Sequence, residues 1–160
     1  MLIWAIGSAI IRMNQENKRI QDRFEVQTYL DRLRYAIEEG AQVNIIHDRE
    51  VDAKRNRKFT NRYTIALLFP DEDPTEAIKR ELLQLTVEDY VETVKDLRFP
   101  KRTDMVVFGK TYCHEDVYVK IRVELINTSL AGGGSSILVM SFHFAETSFS
   151  DSDFPYRKPR

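Results

Sequence analysis

Residues 117–146, VYVKIRVELINTSLAGGGSSILVMSFHFAE, decide how this chain reads as a fold. They predict two β-strands, rich in β-branched and aromatic residues, joined by a glycine-rich connector. In DVYVKIRVEL the odd positions Val117, Val119, Ile121, Val123 and Leu125 form an apolar face, and Tyr118, Lys120, Arg122 and Glu124 point the other way. In ILVMSFHFAE the same alternation predicts Leu138, Met140, Phe142 and Phe144 on the core side and Ser141 and His143 opposite. Neighbouring strands that share a core therefore place Tyr118, Lys120, Arg122, Ser141 and His143 on one sheet face.

Working outward, periodicity supplies the remaining elements. In RIQDRFEVQTYLDRLRYAIEEG, Val26, Leu30, Leu33 and Ile37 recur at helical spacing, Ile20 and Phe24 extend the stripe upstream, and Gly40 is placed to end the helix. DPTEAIKRELLQL predicts a second helix: Asp73 caps it, Pro74 opens it, Glu76 follows three residues after the cap, and Ile78, Leu82 and Leu85 face inward. TVEDYVETVKDL restarts the pattern with Thr86 as cap and Val87, Tyr90, Val94 and Leu97 as its stripe, which predicts a third helix. Beyond it DMVVFGKTY, DVYVKIRVEL and SSILVMSFHF predict three strands. The expected architecture is α+β: an N-terminal helix, two central helices and three C-terminal strands in an antiparallel sheet packed against the helices.

Composition bounds the function. The 160 residues suit one domain, read as 13–160, and 42% hydrophobic with 31% charged residues describe a globular chain. A net charge of −1 argues against a globally basic nucleic-acid binder but leaves room for a local basic patch. From Ala53 to Arg62 there are five Lys or Arg and no acid, with Arg55, Arg57 and Lys58 as candidate phosphate contacts or as part of a solvated loop. The single cysteine, Cys113, excludes an internal disulfide, and the expected location is cytoplasmic. Residues 1–12 read as an apolar extension, with translation able to begin at Met13; the apolar run of about eleven residues is too short to cross a bilayer. No cofactor is expected: His47, His114 and His143 are widely spaced without HxH, HExxH or CxxC, and AGGGSS lacks the lysine of a phosphate loop.

Two readings fit the polar sheet face. Imidazole, phenol, ammonium and guanidinium together can cleave a phosphodiester without metal, supplying a base for the 2′-hydroxyl, an acid for the leaving oxygen and charge for the phosphorane. The same residues also make an ordinary solvated face, alternating charges for solubility.

The order LTVEDYVETV, DMVVFGK, DVYVKIRVEL, ILVMSFHFAE, with FPY at residues 154–156, resembles the MqsR (motility quorum-sensing regulator) toxins and their relatives in Gram-positive bacteria and mobile elements. The resemblance covers about residues 81–156. Residues 14–80 match through an N-terminal helix followed by a basic segment. It implies a RelE-like fold and a metal-independent endoribonuclease acting on single-stranded mRNA, silenced by a cognate antitoxin. Carried over by position, the tyrosine and lysine of the vYiK strand fall on Tyr118 and Lys120. His143 stands where better-known members have lysine, so the proton carrier differs, and the glutamine expected before the vY motif has no clear counterpart in TYCHEDVY. The resemblance thus implies Tyr118, Lys120 and His143 as catalytic residues, and the strand alternation adds Arg122 beside Lys120 as a contact to the phosphate. The alternative on the same fold is a non-catalytic module that binds a protein or nucleic acid as an inhibitor encoded by a mobile element.

Overall fold

The computed structural model describes residues 17–124 and 134–158. The apolar extension at 1–12 and most of the glycine-rich connector lie outside the described residues. The architecture is α+β, a six-stranded sheet with three helices on one face. Strand β1 is Lys18–Arg19, β2 Gln42–Ile45, β3 Tyr90–Val94, β4 Met105–Tyr112, β5 Glu115–Glu124 and β6 Ser136–Phe144. Helix α1 is Arg23–Glu38, α2 Asn61–Leu68 and α3 Pro74–Leu82. The sheet runs β1-β3-β4-β5-β6-β2, antiparallel throughout except that β2 lies parallel to β6. None of the helices among the described residues is long and apolar enough to cross a membrane.

Local chemistry explains the helix ends. Asp22 accepts from the Glu25 N–H, while the Glu25 carboxylate returns to the Asp22 N–H, a reciprocal cap that starts α1 at Arg23. Ile20 and Phe24 therefore do not extend the buried stripe. They are 57% and 80% exposed, and Val26, Leu30, Leu33 and Ala36 form the buried face, with Ile37 packed at its margin. At the other end Gly40 takes φ +84°, and the Gly40 and Ala41 amides donate to Ile37 and Ala36. That arrangement is the left-handed helix stop for which glycine is suited. Asp73 and Pro74 start α3 as the sequence indicates, and Ile78, Leu82 and Leu85 are buried.

Further expectations are corrected. The sheet has six strands rather than three, and β2 runs parallel to β6. TVEDYVETVKDL is not a helix: Thr86 and Asp89 close a single tight turn over Val87–Asp89, and the chain then continues as β3. The second central helix is instead α2, capped by Thr60, whose hydroxyl accepts from the Tyr63 N–H. The face assignment in the last strand also changes. Lys120 pairs with Ser141 but Ile121 pairs with Val139, so Met140 is an extra residue, a β-bulge. Upstream of the bulge Ile137 and Val139 are the core residues, both 0% exposed. Met140 is turned out to the open face, and downstream Phe142 and Phe144 remain in the core.

Parallel pairing of β2 with β6 stops near Ile45↔Val139, which leaves the rest of β6 without a strand on that side. Helix α2 takes over. The Asn61 amide donates to the carbonyls of Ile46 (2.6 Å) and Met140 (2.9 Å) and accepts from the Phe142 N–H at 2.9 Å. Thr64 accepts from the Phe144 N–H at 3.0 Å. Both side chains are buried, so the edge of β6 is satisfied by a helix rather than by water.

Candidate active site

The face of the sheet away from α1, α2 and α3 carries an open groove. Tyr118 and His143 are directly opposite each other across β5 and β6, and Lys120 is opposite Ser141. The Tyr118 and His143 rings stack with centroids 5.5 Å apart at 22°. Phe149 stacks on the other side of Tyr118 at 6.4 Å and 13°. The third ring fits only because β4 has no side chain beneath it. A Cβ at Gly109 would come within 2.6 Å of the Phe149 ring and 2.9 Å of Phe154. From there the segment after β6 folds over the sheet and ends with Tyr156 stacked on Tyr90.

Tyr118, Lys120, Ser141 and His143 line a cavity of about 610 Å³ together with Arg49 and Arg55. His143 is 6% exposed, and it stands on the groove side of β6 rather than among Phe142 and Phe144. Its Nδ1 bonds the Phe144 carbonyl at 2.9 Å, the arrangement in which Nδ1–H donates and Nε2 keeps its lone pair. Burial lowers the imidazole pKa from its ordinary value; the Phe144 bond opposes this, and Arg55 and Arg49 push it further down. His143 is therefore neutral at neutral pH. Burial also lowers the pKa of the Lys120 ammonium, with Arg49 adding repulsion, so Lys120 gives up a proton more readily than a solvated lysine. Tyr118 moves the other way, pushed up to about 12 by burial first and Glu92 second, and stays protonated.

The structure separates the sequence-derived candidates. Arg122 occupies the expected strand position, yet it is 4% exposed and its guanidinium is held by Asp96 at 2.7 Å and Glu124 at 3.4 Å. Its charge is committed internally. Arg55 reaches the groove and pairs with Glu146 at 3.0 Å and Asp52 at 3.8 Å. Unlike Arg122 it is partly exposed and Glu146 is open to solvent, so a phosphate can replace that partner. Arg57 is exposed and does not line it, and Lys58 turns away to pair with Glu115 near the Phe144 ring.

Sequence reasoning missed Arg49. It follows β2, lines the groove, and donates to the Ser141 hydroxyl at 3.2 Å. In the sequence it sits among His47, Asp48, Glu50 and Asp52, so it does not register as part of a basic run. Asn61 was also missed, since a lone asparagine opening a helix carries no signal of the strand it holds. Among the described residues no group of three or more His, Cys, Asp or Glu side chains is arranged to hold a metal ion. No protein-family model, curated protein or solved structure matches the chain.

Proposed function

We propose that the groove is the active site of a metal-independent endoribonuclease, a toxin of a toxin–antitoxin pair that cuts single-stranded mRNA on a RelE-like, MqsR-like scaffold. The observation that carries this reading is the placement of His143 and Lys120 on adjacent strands in one open groove, where burial lowers the pKa of both. In the proposed reaction His143 Nε2 takes the proton of the ribose 2′-hydroxyl. The freed O2′ attacks phosphorus, the P–O5′ bond breaks, and Lys120 donates a proton to the departing O5′. The products are a 2′,3′-cyclic phosphate and a 5′-hydroxyl, with imidazolium and neutral lysine returning to their starting states by proton exchange with water. Arg49 and Arg55 supply fixed positive charge to the phosphorane, and Tyr118, whose ring is held between His143 and Phe149, orients the substrate through its hydroxyl. Tyr118 and Lys120 of the vYiK strand, on which the resemblance partly rests, line this groove, and the inhibitory partner would be an antitoxin protein.

Purified protein is expected to cut single-stranded RNA in EDTA, leaving 2′,3′-cyclic ends, with His143→Ala about 10²–10⁴-fold slower. Lys120→Ala is slowed as well, with its fold intact. If wild-type protein leaves free and ribosome-bound RNA uncut and its expression does not slow growth, the enzyme reading fails. The 6% exposure of His143 and the committed charge of Arg122 favour the second reading in that event, a non-catalytic module that binds a partner through this face.

A further inference from the structure

The groove does not end at Lys120. A second cavity of about 610 Å³ adjoins the first and shares Lys18, Arg49 and Lys120 with it. Its character is different. Ile46, Val94, Met105 and Met140 give it an apolar lining, and Val51 and Leu97, 48% and 55% exposed, also border it. Met140 belongs to this lining only because of the β6 bulge. Around the apolar part stand Lys95 and Arg98, both exposed and without an ion-pair partner among the described residues. Of the carboxylates here, Asp96 is neutralised by Arg122, and Glu50 is solvent-exposed.

An apolar bed with cations at its border suits a nucleotide. Thioether and aliphatic groups accept the flat face of a base without reading its edge, and the cations meet the phosphate that follows. The orientation follows from the proposed chemistry, on which this step rests. His143 acts on the 2′-hydroxyl of the nucleotide 5′ to the cut, and in-line displacement puts the leaving O5′ on the far side of phosphorus. Lys120, which serves that oxygen, stands where the two cavities meet. We infer that the second cavity is a binding site for the nucleotide on the 3′ side of the cleaved bond.

Oligodeoxynucleotides containing a single ribonucleotide offer one cleavable bond and test this directly. Replacing a 3′-methyl phosphodiester, which has no nucleotide beyond the cut, by one 3′ nucleotide that ends in a phosphate should raise kcat/KM about tenfold in wild-type protein. In the double variant Lys95→Ala, Arg98→Ala that gain should shrink to within about twofold, while the gain from 5′ lengthening persists. A 3′ gain that survives in the double variant, or one confined to the 5′ side, overturns the assignment. A catalysis-independent arm uses an uncleavable all-deoxy octamer followed by fluorescence anisotropy. The double variant should bind about tenfold more weakly, with a salt slope smaller by about 1.4, two contacts at roughly 0.7 each. Should wild-type protein cut no substrate at all, the ribonuclease reading falls and the 3′ assignment with it. Anisotropy then decides whether the second cavity is a nucleotide site: weaker binding by the variant upholds it, and unchanged affinity and slope refute it.

Discussion

His143 is nearly buried, yet it faces the groove, and that placement fixes how its titration is coupled to folding. Burial, with Arg55 and Arg49, depresses its pKa below the ordinary 6.5. Between the two values the unfolded chain binds more protons than the folded one, so protonation favours unfolding. The contribution is complete above pH 6.5 and is lost as pH falls through 6.5 toward the folded value. Urea midpoints of wild type and His143→Gln should therefore diverge between pH 7.5 and 5, with wild type losing the greater stability in acid. Parallel curves would show that the imidazole is not desolvated. The limb of the cleavage profile on the acid side should follow the same titration, since only neutral His143 can take the 2′-hydroxyl proton. Behind this residue stands Asn61. Asn61→Ala leaves two carbonyls and the Phe142 N–H unpaired in a buried place, at a cost of about 2–3 kcal/mol. Hydrogen exchange should accelerate at the Phe142 amide and much less at the Phe144 amide, which Thr64 holds.

Among the elements, bulges account for what the sequence did not disclose. In β3 the register slips between Tyr90 and Glu92, so that Tyr90 and Thr93, three residues apart, both face the core and share a hydrogen bond of 2.8 Å. Buried positions three apart are also the mark of a helix. Together with a cap-like Thr86 and Asp89, that spacing makes TVEDYVETV look helical when it is a turn and a bulged strand. The β6 bulge acts the same way on Val139 and Phe142, which share the core although their parity differs. Regular strands were legible: β5 alternates as its sequence says, and Tyr118, Lys120 and His143 share a face because no slip intervenes between them and their partners. Both bulges turn their extra residues toward the groove, Val91 and Met140, so the irregularities that hid the strands also shape the site. The tail offers a test of the ring stack. Gly109→Ala must displace the Phe149 and Phe154 rings, since the new methyl overlaps both. The expected result is faster chymotryptic cleavage within residues 145–156 and slower RNA cleavage, with the six-stranded sheet retained by circular dichroism. A wild-type digestion pattern would mean that the tail does not rest on Gly109.

For the molecule as a whole, a net charge of −1 conceals an uneven distribution. Arg49, Lys120, Arg55 and Lys18 meet on one side of the sheet, while other basic residues of the same segment are turned elsewhere. Lys18 is paired to Glu92 and Arg55 to Glu146, so that Arg49 and Lys120 are the groove's cations without an ion-pair partner among the described residues. Composition cannot show this, because Arg55, Arg57 and Lys58 are equivalent as letters and differ only in where the short turns at Glu50–Lys54 and Arg57–Phe59 aim them. Arg55 enters the groove, Arg57 points to solvent outside it, and Lys58 pairs with Glu115. Phosphate contacts release counterions in proportion to their number, about 0.7 in salt slope for each contact to a single strand. Arg55→Ala should therefore weaken binding of any single-stranded RNA and lower the slope by roughly that amount, independent of sequence. Arg57→Ala should leave both unchanged. Lys58→Ala should do the same to the slope, and any loss should appear in stability instead, because its partners are Glu115 and the Phe144 ring. Binding curves measured for the three variants between 50 and 200 mM salt separate these outcomes. If the three behave alike, RNA does not follow the groove; if only Arg55 matters, the strand is drawn along the line from Arg55 past Lys120 that the proposed chemistry requires.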